Sequence, residues 1–110
     1  MNIVERQLED ALILDLTGRF EFQATPQFYA ALDRLEGRRG EHLILNLEGV
    51  TFLDSAALGA IHVAHQKLTT SGGIMSIVNP PPRVYTLMER ANITSIIPIH
   101  SLEEQALLVG

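Results

Sequence analysis

His42-Leu43-Ile44-Leu45-Asn46-Leu47-Glu48-Gly49-Val50-Thr51-Phe52-Leu53-Asp54-Ser55-Ala56-Ala57-Leu58-Gly59-Ala60-Ile61 passes from a nearly unbroken apolar run through an acidic turn into a helix. A run such as His42 to Leu47 predicts a central strand covered on both faces, because a strand with one wet face alternates polar and apolar residues. Asp54 and Ser55 are both good N-cap residues, since a short side-chain oxygen can accept an orphan N–H of the first turn. Beyond them, Ser55 to Gln66 holds no Asp, Glu, Lys or Arg, and the first turns are small: Ala56, Ala57, Gly59, Ala60. Leu58, Ile61 and Leu68 form the stripe such a helix would bury. Its other faces offer methyl groups and bare backbone, which suit the close approach of another protein. We read Ala56, Gly59 and Ala60 as lying at or near a partner surface. The plainer alternative is a helix buried on several sides within its own domain.

Working outward, Asn2 to Gln7 reads as a short strand turned by Leu8-Glu9-Asp10, and Ala11 to Thr17 as a second strand close enough to pair with it as a hairpin. Gly18 breaks that run, and Arg19 to Phe22 is a connector. Thr25-Pro26 has the form of an N-cap followed by proline at the first helical position. Phe28, Ala31, Leu32 and Leu35 follow at helical spacing, with an end expected near Glu36 and Gly37 as the stop. Arg38-Arg39-Gly40-Glu41 reads as a solvated loop whose two arginines are surface charge rather than a phosphate clamp.

On the other side, the second helix continues through Thr69 and stops at Ser71-Gly72-Gly73. Ile74 to Val78 is a fourth strand, and Asn79-Pro80-Pro81-Pro82 an extended turn. Arg83 to Ala91 is a third helix with Val84, Leu87 and Met88 inward, stopped by Asn92. Ile96-Ile97-Pro98-Ile99 is an edge strand, placed there by its proline. Ser101-Leu102-Glu103-Glu104 has the spacing of a capping box and opens a last helix to Leu108. Strand and helix therefore alternate after an opening hairpin. The pattern predicts one α/β domain over residues 1–110, with a mixed, mainly parallel sheet of about five strands packed by about four helices.

Composition narrows the function. A chain of 110 residues can bury a core without staples, and with no cysteine it has neither disulfides nor thiolate metal sites. A formal net charge of −5 with scattered basic residues argues against nucleic acid and against insertion at an anionic membrane. With no transmembrane-length run and a charged opening, Met-Asn-Ile-Val-Glu-Arg, the chain reads as cytoplasmic. Neither phosphate-loop spacing nor a nucleophile elbow is present. Adjacent Asp54-Ser55 cannot place a carboxylate behind a histidine as a hydrolase triad needs. His62 and His65 lie one turn apart, but local spacing offers no third ligand, so no metal and no cofactor is expected. The reading is that the chain is not an enzyme.

Three stretches together resemble the STAS domain family of bacterial anti-sigma factor antagonists. Leu14-Asp15-Leu16-Thr17-Gly18-Arg19-Phe20-Glu21 resembles its second-strand motif, and Leu43 through Ser55 its central strand and loop. Gly72-Gly73 before a strand, followed by a proline-containing turn, completes the order. The resemblance implies docking to an anti-sigma factor that is itself a histidine-kinase-like Ser/Thr kinase, with release of a sigma factor. The implied contact residues are Arg19, Phe20, Glu21, Asp54, Ser55, Ala56, Ala57, Gly59 and Ala60. An accessory subunit of a transporter or other assembly is the second reading the family allows, and a homodimer is left open.

In that family the loop reads Asp-Ser-Ser/Thr-Gly-Leu-Gly, and its second hydroxyl accepts phosphate. Here the loop is Asp54-Ser55-Ala56-Ala57-Leu58-Gly59. Ala56 has no hydroxyl, so the resemblance leaves Ser55 as the candidate phosphoacceptor or no switch at all. We take the unswitched reading, with Ser55 as a structural cap. Asn46 also stands where an acidic residue is common in the family.

Overall fold

The computed structural model describes residues 1–34 and 42–108. Strands β1 (Asn2–Leu8) and β2 (Ala11–Phe20) form an antiparallel hairpin with Asn2 opposite Thr17 and Leu8 opposite Ala11. After α1 (Thr25–Asp33), strand β3 (His42–Leu53) lies parallel to β2. Helix α2 (Ser55–Thr70) leads to β4 (Ile74–Val78), and α3 (Pro82–Arg90) leads to β5 (Ile99–His100), both strands adding in parallel. Helix α4 (Glu103–Leu107) closes the described chain. The sheet runs in chain order from β1 to β5, so each crossover steps to the adjacent strand. A constant right-handed step puts successive crossover helices on one face.

Alternation within the strands sorts the core into two layers. Leu12, Leu14 and Leu16 of β2 and Leu43, Leu45 and Leu47 of β3 pack with Phe28 and Ala31 of α1, Ala57, Ala60, Ile61 and Ala64 of α2, and Val84 and Met88 of α3. Ala11, Ile13, Ile44 and Val78 point the opposite way and meet Ala106 of α4. The continuous apolar run at the start of β3 follows from this, since both of its faces are covered.

Several boundaries differ from the sequence reading for local reasons. Gly18 does not end β2; with φ +92° it sits inside the strand, where the pairing with β3 shifts register before Arg19. That conformation is open to glycine without the Cβ penalty. Strand β3 continues past Leu47 to Leu53 because β2 keeps pairing with it, Phe20 opposite Leu53. Thr25 is the first residue of α1 rather than its cap. A short 3₁₀ turn at Phe22–Ala24 precedes the helix, and Thr25 Oγ1 donates to the Phe22 carbonyl at 2.8 Å. The expected stop at Glu36-Gly37 and the Arg38-Arg39 pair lie outside the described residues. The last strand is displaced to Ile99–His100, following a 3₁₀ turn at Ile93–Ser95. The box expected from Glu104 is made by Gln105 instead, whose Oε1 accepts from the Ser101 and Leu102 N–H groups at 3.1 and 3.2 Å.

Candidate functional site

The neighbouring carboxyl ends of β2 and β3 bring the connector after β2 against the start of α2. One side chain ties them together. Asp54 Oδ1 accepts the Ala57 N–H at 2.9 Å, and Oδ2 accepts the Phe22 N–H at 2.9 Å. The Asp54 N–H in turn donates to the Phe20 carbonyl at 3.3 Å. Asp54 therefore caps α2 and fixes the connector with the same carboxylate, a role for which an anion at a helix N-terminus is favoured.

This corrects the role given to Ser55. It is the first helical residue, exposed, and its hydroxyl makes no hydrogen bond among the described residues. It is not the cap.

The nine candidate contact residues divide between surface and core. Phe20 is 0% exposed and packs on Phe28 with ring centroids 5.0 Å apart, so it belongs to the interior. Ala57 and Ala60 face the sheet at 0% and 1% exposure, because they lie on the same stripe as Ile61 and Ala64. These three offer no side-chain surface to a partner. Arg19 and Ser55 are exposed, Gly59 is exposed, and Glu21, Asp54 and Ala56 are half-buried. Of the expected anchors of α2, Ile61 is fully buried while Leu58 and Leu68 pack at the margin of the core.

Phe22 was missed by the sequence reading, which placed it in a connector without a role. It is 68% exposed, although its N–H is held by Asp54. The available signal was the alternation in Phe20-Glu21-Phe22, but periodicity alone would send both rings inward. The 3₁₀ turn that begins at Phe22 breaks that period. Arg19 lies over the Phe52 ring at 4.4 Å and pairs with Glu21, which gives the rim of this surface a fixed polar edge.

Along α2 the exposed stripe runs from Ser55 through Gly59 to Val63, with no charge before Lys67. A Cβ added at Gly59 would meet nothing within 4 Å. Helix α2 ends by satisfying its carbonyls through Gly72 and Gly73, the latter donating to the Leu68 carbonyl at 2.9 Å, with Gly72 at φ +86°. His62 and His65 are both half-buried on α2, and the basicity of His65 is lowered by partial burial and, secondarily, by His62. Among the described residues no three His, Asp or Glu side chains gather where a metal ion could be held.

The family model described as "STAS domain" matches residues 2–106. This chain belongs to the STAS domain family. An anti-sigma F factor antagonist of Paenibacillus polymyxa is 29% identical to this STAS domain over 97 residues, covering 87% of the chain and 83% of that relative. The crystal structure of an anti-sigma factor antagonist from Mycobacterium paratuberculosis superposes with a TM-score of 0.87 at 17% identity, covering 98% of this chain and 92% of that one. The murine Slc26a9 anion transporter contains a region of the same fold, at a TM-score of 0.80 and 18% identity; it covers 94% of this chain but 18% of the transporter. These two likenesses establish the shared fold, which thus occurs both as a small separate protein and within a transporter.

Proposed function

We propose that this STAS domain is a regulatory binding module, an anti-sigma factor antagonist that docks an anti-sigma factor of the histidine-kinase-like Ser/Thr kinase type and so releases a sigma factor. It acts in the cytoplasm by binding and performs no reaction of its own. The observation that carries this reading is the charge-free surface of Ser55, Ala56, Gly59 and Val63 beside the exposed ring of Phe22. An internal helical glycine with open space around it costs about 1 kcal/mol relative to alanine. Its retention makes sense if a partner backbone or side chain must come close there. The similarity to the Paenibacillus antagonist supports the choice of partner class.

We further propose that docking is not switched by phosphate. Ala56 cannot accept one, and Ser55 is the remaining hydroxyl of the loop. The free hydroxyl of Ser55 removes the capping argument for this view, but Asp54 supplies another. Its carboxylate already occupies the Ala57 N–H, so a phosphate of charge about −1.5 to −2 on Ser55 would meet a neighbouring anion and a partly satisfied helix end. The test combines the wild-type protein, ATP and the kinase-type anti-sigma factor of the same cell, read by intact-protein mass spectrometry and by binding. Tight binding with no added phosphate is expected. Stoichiometric phosphate on Ser55 with loss of binding would overturn the unswitched reading.

A further inference from the structure

A second concave surface lies at the carboxyl ends of β4 and β5, apart from the docking face. It is an open cleft of about 470 Å³. Glu48, Asn79, Tyr85 and Ser101 give it polar groups, while Pro80 and Ile99 supply apolar wall. Among the described residues no lysine or arginine lines it.

The position of Glu48 comes from an irregularity in β3. The pairing Asp15 with Asn46 is followed by Thr17 with Gly49, so β3 carries one extra residue over this step. The Glu48 N–H leaves the ladder and donates instead to Asn46 Oδ1 at 3.0 Å. Bulges of this kind re-aim side chains. Here the result is an exposed carboxylate at the cleft with no ion pair or hydrogen bond among the described residues. Tyr85 stands on the first half of α3, 39% exposed and also in the cleft wall. His100 lines the same cleft, and its Nε2 is buried without a hydrogen-bond partner among the described residues.

We propose that this cleft binds an organic cation, an ammonium or guanidinium group on a short apolar stem. The carboxylate of Glu48 supplies the counter-charge, the Tyr85 ring a face that attracts cations, and Pro80 and Ile99 a wall for the stem. Asn79 and Ser101 add acceptors for the remaining N–H groups. Among the described residues an anionic guest would meet the Glu48 carboxylate and no lysine or arginine. The guest can be a free amine or guanidine, or the side chain of a Lys or Arg on a peptide.

The test titrates the isotope-labelled full chain with n-butylguanidinium and n-butylammonium at constant ionic strength, following backbone amide shifts. Saturable changes confined to Glu48, Asn79, Tyr85, His100 and Ser101 are expected, while butanol and butyrate produce none of them. Glu48→Gln should weaken binding about tenfold with the fold intact, since a charge-assisted contact becomes a neutral one. Tyr85→Leu should weaken it by a smaller factor while keeping the apolar wall. A blocked Gly-Arg-Gly peptide that binds as well as the free guanidinium assigns the guest to a partner's side chain; capture of the small cation alone assigns it to a free metabolite. Changes that rise linearly across the whole acidic surface, or equal affinity in wild type and Glu48→Gln, would overturn the proposal. So would equal binding of butyrate.

Discussion

At the residue scale, Asp54 joins two segments through two backbone N–H groups. Replacing it with Ala should cost about 1–2 kcal/mol, the upper part of the N-cap range, because the connector is released as well. Asp54→Asn should cost less, since one carbonyl oxygen can still take one of the two donors. Urea unfolding of the pair distinguishes them. Gly49 is constrained by contact rather than by φ: a Cβ there would lie 2.6 Å from Thr17 Cγ2 and 3.2 Å from Thr17 Cβ. Gly49→Ala should therefore destabilise by about 1–3 kcal/mol through overpacking. Gly59→Ala should do the reverse, stabilising by up to about 1 kcal/mol, because the added methyl meets open space. The sequence placed Asp54 as a capping candidate but could not divide the work between it and Ser55, since both residue types cap equally well. It also could not distinguish Phe20 from Phe22; only the 3₁₀ turn sends one ring inward and the other out.

At the element scale, α4 is short, and its attachment depends on a polar cluster. Arg6 of β1 pairs with Asp15 of β2 and with Glu103 at the start of α4. Asn46 Nδ2 donates to Glu103 Oε2 at 3.1 Å while its Oδ1 accepts from Glu48. Asparagine is needed for that pair of roles, because a carboxylate can accept but not donate. This gives a physical account of the amide at position 46. Asn46→Asp should set two carboxylates against each other and cost about 1–2 kcal/mol, measured as a shift in the urea midpoint, with faster amide exchange in α4 than elsewhere. The strong elements β2, β3 and α2 were legible because apolar period and length agreed. The ends of β2 and β3 were not. Gly18 looked like a terminator, whereas in the sheet it sits at a register shift, and Gly49 lies within β3 in close approach to Thr17. Capping of α4 was assigned to the wrong residue for a similar reason: Glu104 and Gln105 are both suitable, and one residue of offset decides between them.

At the scale of the whole molecule, the sheet is covered by three helices on one side and by α4 on the other, and His42 sits on the thinner α4 side. Its Nε2 lies 3.0 Å from Ser76 Oγ in a buried pair. Desolvation, aided by His100, lowers its basicity below the ordinary histidine value of 6.5. The unfolded chain then binds a proton that the native state resists, so the contribution to stability is present above pH 6.5 and is lost as pH falls toward the folded value. His65 acts in the same direction. The melting temperature should decline on acidification from neutral pH, and His42→Asn should flatten part of that decline even though it is less stable at neutral pH. An unchanged pH slope in that variant would contradict the burial argument. The α/β architecture with an opening hairpin was readable from the alternation of elements, and the candidate surface from the missing charges of α2. Its depth was not readable, because Ala57 and Ala60 are as small and uncharged as the residues that face solvent.

The central claim is that this charge-free face is where a partner docks, and one substitution tests it most directly. Gly59→Glu places a carboxylate on the exposed stripe where a side chain meets no neighbour. Calorimetric titration of the wild type and of this variant into the kinase-type anti-sigma factor of the same cell, alongside their thermal midpoints, gives both readouts. The account predicts a thermal midpoint close to that of the wild type and a loss of affinity of at least about a hundredfold, as expected for an unpaired charge buried at an interface. Undiminished affinity in a folded variant would contradict it.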